Sequence, residues 1–185
     1  MSKYFIYTGN AYPHKNLNRL VEAVVSLNSD LEEPVVLKIA SSRSVFTERL
    51  SGVVKKLGGE KYVELLGLVS DSELTGLYKN SVALVFPSLS EGFGIPGIEA
   101  MEAGTLVLAS DIPVFREVYG KAATYFNPLD FSSIESAMRD ALNLSGEERS
   151  EKVEFGKKFV KRYSWAKMAK ETLKLYESSV GLRQS

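Results

Sequence analysis

Short apolar runs alternate with segments whose apolar residues recur every three or four positions. Runs 4–8 (YFIYT), 35–40 (VVLKIA), 62–67 (YVELLG), 82–86 (VALVF), 106–110 (LVLAS) and 122–126 (AATYF) read as strands. Run 82–86 is the most apolar and is predicted to be central, buried on both faces. Between the runs, 15–28, 45–58, 70–80, 95–103 and 114–120 carry helical spacing, such as Leu17, Leu20, Val21 and Val24. Three more helices follow, at 130–143, 147–162 and 164–179. Ser70 with Glu73 and Ser145 with Glu148 have capping-box spacing, and Ser164 precedes Trp165 as an N-cap. Residues 181–185 are expected to fray. The alternation predicts an α/β fold: a Rossmann-like parallel sheet of about six strands, helices on both faces, and added C-terminal helices. With 185 residues and no linker, the chain reads as a single domain, 1–185.

In such folds ligands bind where the strands end. That selects the loops 9–14, 40–44, 67–70, 87–94 and 110–113 before any chemistry is considered. Composition then narrows the chemistry. There is no cysteine, which excludes disulfides and thiolate sites, and the one histidine, His14, excludes a multi-histidine metal cluster. Lys+Arg and Asp+Glu are 23 each, so no bulk field favours nucleic acid. No apolar run reaches the ~18 residues of a bilayer span, and the N-terminus lacks signal-peptide design, so a cytoplasmic location is expected. The lysine-rich stretch 152–170 raises contact with the inner face of an anionic membrane, against the commoner meaning of a solvated helix face.

The loop after 82–86 contains GFGIPG, a literal G-x-G-x-x-G, which suggests a dinucleotide cradle. Asp111 could then serve the ribose of NAD. Yet five residues, Pro87 to Glu91, separate Phe86 from Gly92, where that cradle needs its first glycine at the strand end. A second reading uses Glu91 and Glu99, with seven residues between them, around the same loop. Gly92 and Gly94 let backbone N–H groups approach a ligand, and the helix opening at Ile95 offers unpaired donors to an anion. Carboxylates accept from vicinal hydroxyls. Phosphate in the middle and polyols on both sides describe a nucleotide sugar. In the first loop, Gly9 permits a tight turn, and Lys15 sits near a helix start where its charge opposes the dipole until an anion binds. Asn10 and His14 are neighbouring donors. The bland alternatives, a solvated lysine and two exposed glutamates, weigh against each residue taken alone.

PSLSEGFGIPGIEAMEAGTLVLASD resembles the signature of retaining family 4 glycosyltransferases, enzymes of GT-B architecture. YTGNAYPHKNLNRLVEAV, VELLGLVSDSELTGLYKNSVALVFPS and YSWAKMAKETLKLYESS are similar to the start, middle and end of their C-terminal domain. The resemblance implies that Glu91 contacts donor-sugar hydroxyls, Glu99 holds the ribose diol, and Lys15 neutralises the diphosphate, with Glu91 and Lys15 the catalytic pair. It also implies that the backbone of Gly92, Phe93, Gly94 and Ile95 covers the sugar and phosphates. Gly9, Asn10 and His14 border the diphosphate, while Leu68, Val69 and Arg43 border the base. The donor implied is GDP-mannose or a UDP-sugar, with no cofactor. The chain contains no D-x-D, which fits a metal-independent reaction. Many members carry arginine where Asn10 or His14 stands, so one permanent charge on the diphosphate is missing unless His14 is protonated. The resemblance makes this chain the C-terminal half of such an enzyme. An N-terminal acceptor domain is then expected in cis or in trans, and the isolated chain is expected to bind donor without transferring it.

Overall fold

The structure, a computed structural model, describes residues 3–181; of the segment expected to fray, 182–185 lie outside the described residues. Six strands form one parallel sheet: β1 Tyr4–Thr8, β2 Val36–Ala40, β3 Val63–Gly67, β4 Ala83–Phe86, β5 Leu106–Ser110 and β6 Thr124–Phe126. Their order is β3-β2-β1-β4-β5-β6. The chain moves outward from β1 to β3, crosses back, and moves outward again from β4 to β6. The reversal point is therefore the β1/β4 boundary, where Ile6 pairs with Leu84. As its apolarity predicts, β4 is buried along its whole length.

The helices are α1 Leu17–Leu27, α2 Val45–Lys56, α3 Asp71–Asn80, α4 Ile95–Ala103, α5 Pro113–Tyr119, α6 Phe131–Asn143, α7 Gly146–Val160 and α8 Trp165–Gly181. Helices α1, α2 and α6 pack together on one side of the sheet, and α3, α4 and α7 on the other. Apolar stripes dictate this: Leu17, Leu20, Val21, Val24 and Leu27 of α1 are all buried. The capping boxes at Ser70/Glu73 and Ser145/Glu148 form, and Ser44 with Thr47 makes a third that the sequence reading missed because threonine replaces the usual acid. Each such cap stabilises its helix by about 1 kcal/mol.

One feature departs from expectation. The first helix does not run from residue 15. Pro13–Lys15 form a single 3-10 turn, and Asn16 follows in the left-handed region at φ 59°, so α1 starts at Leu17. Helix α8 lies almost wholly in solvent, with Trp165, Met168, Leu173, Leu175 and Tyr176 more than half exposed. No helix among the described residues is long and apolar enough to cross a membrane.

Candidate functional site

Because β1 and β4 are neighbours, the loops that follow them share one end of the sheet at its reversal point, the place where ligands enter this type of fold. Lys15, closing the 3-10 turn after β1, reaches Glu91 in the loop after β4: Nζ lies 2.5 Å from Oε1. Both side chains are only 12% exposed. Ser88 donates its hydroxyl to the same Oε1 at 2.8 Å. The ammonium also stands 5.8 Å from the centre of the Phe86 ring. The two loops are joined through their backbones as well, the Leu89 amide donating to the His14 carbonyl at 2.8 Å. Residues 76 positions apart thus meet. One detail is corrected. Lys15 does not sit at the start of an α-helix opposing its dipole, since Asn16 interrupts the helical path and Glu91 meets the lysine charge instead.

Asn16 was not singled out from sequence. Its left-handed backbone suits asparagine, which tolerates that region better than most residues. Its side-chain amide donates to Pro87 O at 3.1 Å and to Pro128 O at 2.8 Å, stitching the loops after β1, β4 and β6. Asn16→Ala is expected to cost about 2–3 kcal/mol, from two lost hydrogen bonds plus left-handed strain. Asn16→Gly relieves the strain and is expected to cost less. Chemical denaturation of the two variants checks the ranking.

The GFGIPG loop has a division of labour that its pattern did not reveal. An added Cβ at Gly92 would meet nothing within 4 Å. At Gly94 (φ 97°) and Gly97 it would overlap the phenol of Tyr119. Tyr119 is fully buried and donates its hydroxyl to Gly94 O at 2.5 Å. Gly94 is the N-cap of α4, so the loop meets the helix with its carbonyl turned inward. Phe93 and Ile95 are exposed around it, and Phe93 rests edge-on against Tyr163 at 5.5 Å.

Glu99, one turn into α4, makes no hydrogen bond or salt bridge with Lys15 or Glu91. It faces α3, near Tyr78 and Asp71. Tyr78 is buried, and its hydroxyl lies 2.9 Å from Thr8 Oγ1 at the end of β1, which ties this corner to the same strand. The residue is exposed overall, yet its carboxyl is held above the ordinary 4.5 by partial burial, with Asp71 and Glu102 adding to the rise and the Tyr78 hydroxyl opposing it. The folded chain therefore binds this proton more readily than the unfolded chain does. Its stability falls as pH rises from 4.5 through the raised value. Glu99→Gln is expected to be as stable as the unaltered chain or slightly more so at pH 7, with any difference vanishing below pH 4.5, as read from thermal melts across pH.

The remaining candidates surround this centre. Gly9 N donates to Ala40 O at 3.1 Å, Asn10 Oδ1 accepts from Tyr12 N at 3.3 Å, and His14 is exposed, its ring 6.0 Å from that of Tyr12. Arg43 is exposed in the loop after β2. Leu68, 86% exposed, and half-buried Val69 occupy the loop after β3. A hollow of about 270 Å³ beside the first loop is lined by Tyr12, Pro13, Asn16, Phe46 and Arg49. Asp111, the acid needed for the NAD reading, is gripped by Arg116 through two hydrogen bonds of 2.7 Å and follows β5, away from the reversal point.

The family described as Glycosyl transferases group 1 matches residues 1–159. The chain is 39% identical over 137 residues to the O-antigen chain mannosyltransferase RfbU of Salmonella typhimurium, covering 74% of this chain and 38% of that protein. It is 30% identical over 173 residues to the MMP alpha-(1->4)-mannosyltransferase of Mycolicibacterium hassiacum, covering 91% and 41%. Among solved structures, sucrose-phosphate synthase from Thermosynechococcus elongatus superposes with a TM-score of 0.86 at 22% identity, over 98% of this chain and 46% of that one. That likeness concerns the fold. The chain thus spans less than half the length of these relatives. With the family matching residues 1–159 of 185, this chain belongs to the glycosyl transferases group 1 family.

Proposed function

We propose that the chain is the donor-binding domain of a retaining GT-B hexosyltransferase of family 4, working without metal or cofactor on a nucleoside diphosphate sugar. The observation that carries this reading is the Lys15–Glu91 pair at the β1/β4 reversal point, beside the open Gly92 and the N-terminus of α4. The lysine ammonium would balance the diphosphate as its bond to the sugar breaks, with help from the Ile95 N–H that opens α4. Glu91 would accept from hexose hydroxyls, and Glu99, at the Thr8 corner, from the ribose diol. Leu68, Val69 and Arg43 would border the base. The mannosyltransferase names of the relatives favour mannose carried on GDP, with UDP-sugars next. The acceptor would be held by a further domain, in cis or in trans, because the chain spans under half of those relatives. On its own the chain would bind donor without transfer. Thermal melts with GDP, UDP, GDP-mannose, UDP-glucose and NADH test the proposal, since a ligand of the folded state raises the melting temperature. A rise with a nucleoside diphosphate or its sugar is expected. A rise with NADH alone would overturn the reading in favour of an oxidoreductase domain.

A further inference from the structure

Beneath the ion pair four aromatic rings form a continuous row. Tyr7 meets Phe86 edge-on at 6.3 Å, Phe86 stacks on Phe115 at 5.0 Å, and Phe115 stacks on Tyr119 at 5.1 Å. All four are 0–2% exposed. The two end members carry hydroxyls, and each grips a backbone carbonyl of a different site loop. Tyr7 donates to Asn10 O at 2.7 Å, in the loop that carries Lys15. Tyr119 donates to Gly94 O at 2.5 Å, in the loop that carries Glu91. Both phenols are pushed well above their ordinary value, chiefly by burial and next by the Glu91 charge that lies near both ends of the row. They stay protonated donors.

We infer that this row is the positioning element of the site, its two terminal hydroxyls fixing the loops that bring Lys15 to Glu91. Phenylalanine would fill the same space in the core, so packing does not demand the two oxygens. Their work is on the carbonyls. In a trans peptide the carbonyl and the following N–H point opposite ways. Drawing Gly94 O onto the Tyr119 hydroxyl therefore turns the Ile95 N–H away from that buried ring. Holding Asn10 O does the same service for the turn before Lys15. Neither tyrosine touches the ligand site directly; both act through backbone. The consequence for binding rests on the donor-site reading above, whereas the loop-holding itself does not.

Tyr7→Phe, Tyr119→Phe and the double variant separate the two. Hydrogen exchange of the unliganded chain is expected to quicken in 9–15 for Tyr7→Phe and in 92–97 for Tyr119→Phe, with exchange in β4 and β5 unchanged. Each single variant is expected to bind GDP or UDP about tenfold more weakly, the loss expected when one neutral hydrogen bond no longer holds the site in place. The parent nucleosides, guanosine and uridine, should lose little. Faster exchange across the whole sheet with undiminished diphosphate affinity would mean that the hydroxyls are merely structural, and would overturn the inference. So would unchanged exchange in both loops. If the unaltered chain binds neither GDP nor UDP, the donor-site reading falls while the exchange comparison still decides whether the row holds the loops. Should a variant fail to fold, the unaltered chain supplies the answer: its Ile95 amide resonance must shift on GDP or UDP addition while the Gly97 amide stays, and the reverse pattern rejects the arrangement.

Discussion

Lys15→Ala is expected to weaken GDP or UDP binding by about 30-fold, near 2 kcal/mol, the range of a charged hydrogen-bonding group lost from a shielded site. It is also expected to destabilise the unliganded chain. Glu91 is 12% exposed, and without the lysine its carboxylate keeps only the Ser88 hydroxyl. A shielded charge deprived of its partner costs more than the pair ever contributed. The two effects part company in a double variant. Lys15→Met with Glu91→Leu removes both charges and is expected to recover most of the lost stability, yet to bind diphosphate no better than Lys15→Ala. Calorimetric titration alongside chemical denaturation measures both quantities on the same samples. A double variant that bound diphosphate normally would remove the pair from the site.

Gly97→Ala is expected to be among the most damaging single methyls in the chain, costing about 3 kcal/mol. The added carbon would overlap the Tyr119 ring, whose Cε1 would lie only 2.7 Å away, and that ring is fully buried with no room to retreat. The same substitution at Gly156 in α7 provides the contrast. There the nearest atom, Met101 Cγ, is 3.5 Å away, an ordinary contact. Alanine suits a helix better than glycine, so Gly156→Ala is expected to stabilise by about 0.5–1 kcal/mol. A smaller residue at 119 should absorb part of the first penalty: Gly97→Ala with Tyr119→Leu is expected to cost less than the sum of its parts. Denaturant midpoints for the four variants check this ordering.

The glycine result bears on what could be read beforehand. Strand positions were legible because each strand is a short apolar run bounded by polar loops, and because β4 has no polar face at all. The convergence of Lys15 and Glu91 was legible too, since strand-end loops are where such a sheet gathers its chemistry. Three things were not. Asn16 interrupts the helical path through its own backbone torsion, which leaves no periodic trace. Its link to Pro128 spans 112 positions and depends on β6 lying where it does. Tyr119 reads as one more apolar position of a short helix, and only its packing against Gly94 and Gly97 explains why two of the motif glycines are glycines. Two of the three glycines in the literal G-x-G-x-x-G are thus accounted for by one buried ring.

Helix α8 has a practical consequence. It carries Trp165, the single tryptophan of the sequence, 71% exposed. Its indole emission will already be that of a water-bathed chromophore in the native chain. Intrinsic fluorescence will thus be nearly blind both to melting of the sheet and to ligand binding at the β1/β4 loops. Near-ultraviolet dichroism of the enclosed phenols, Tyr7 and Tyr119, is the optical signal that sits where the events take place.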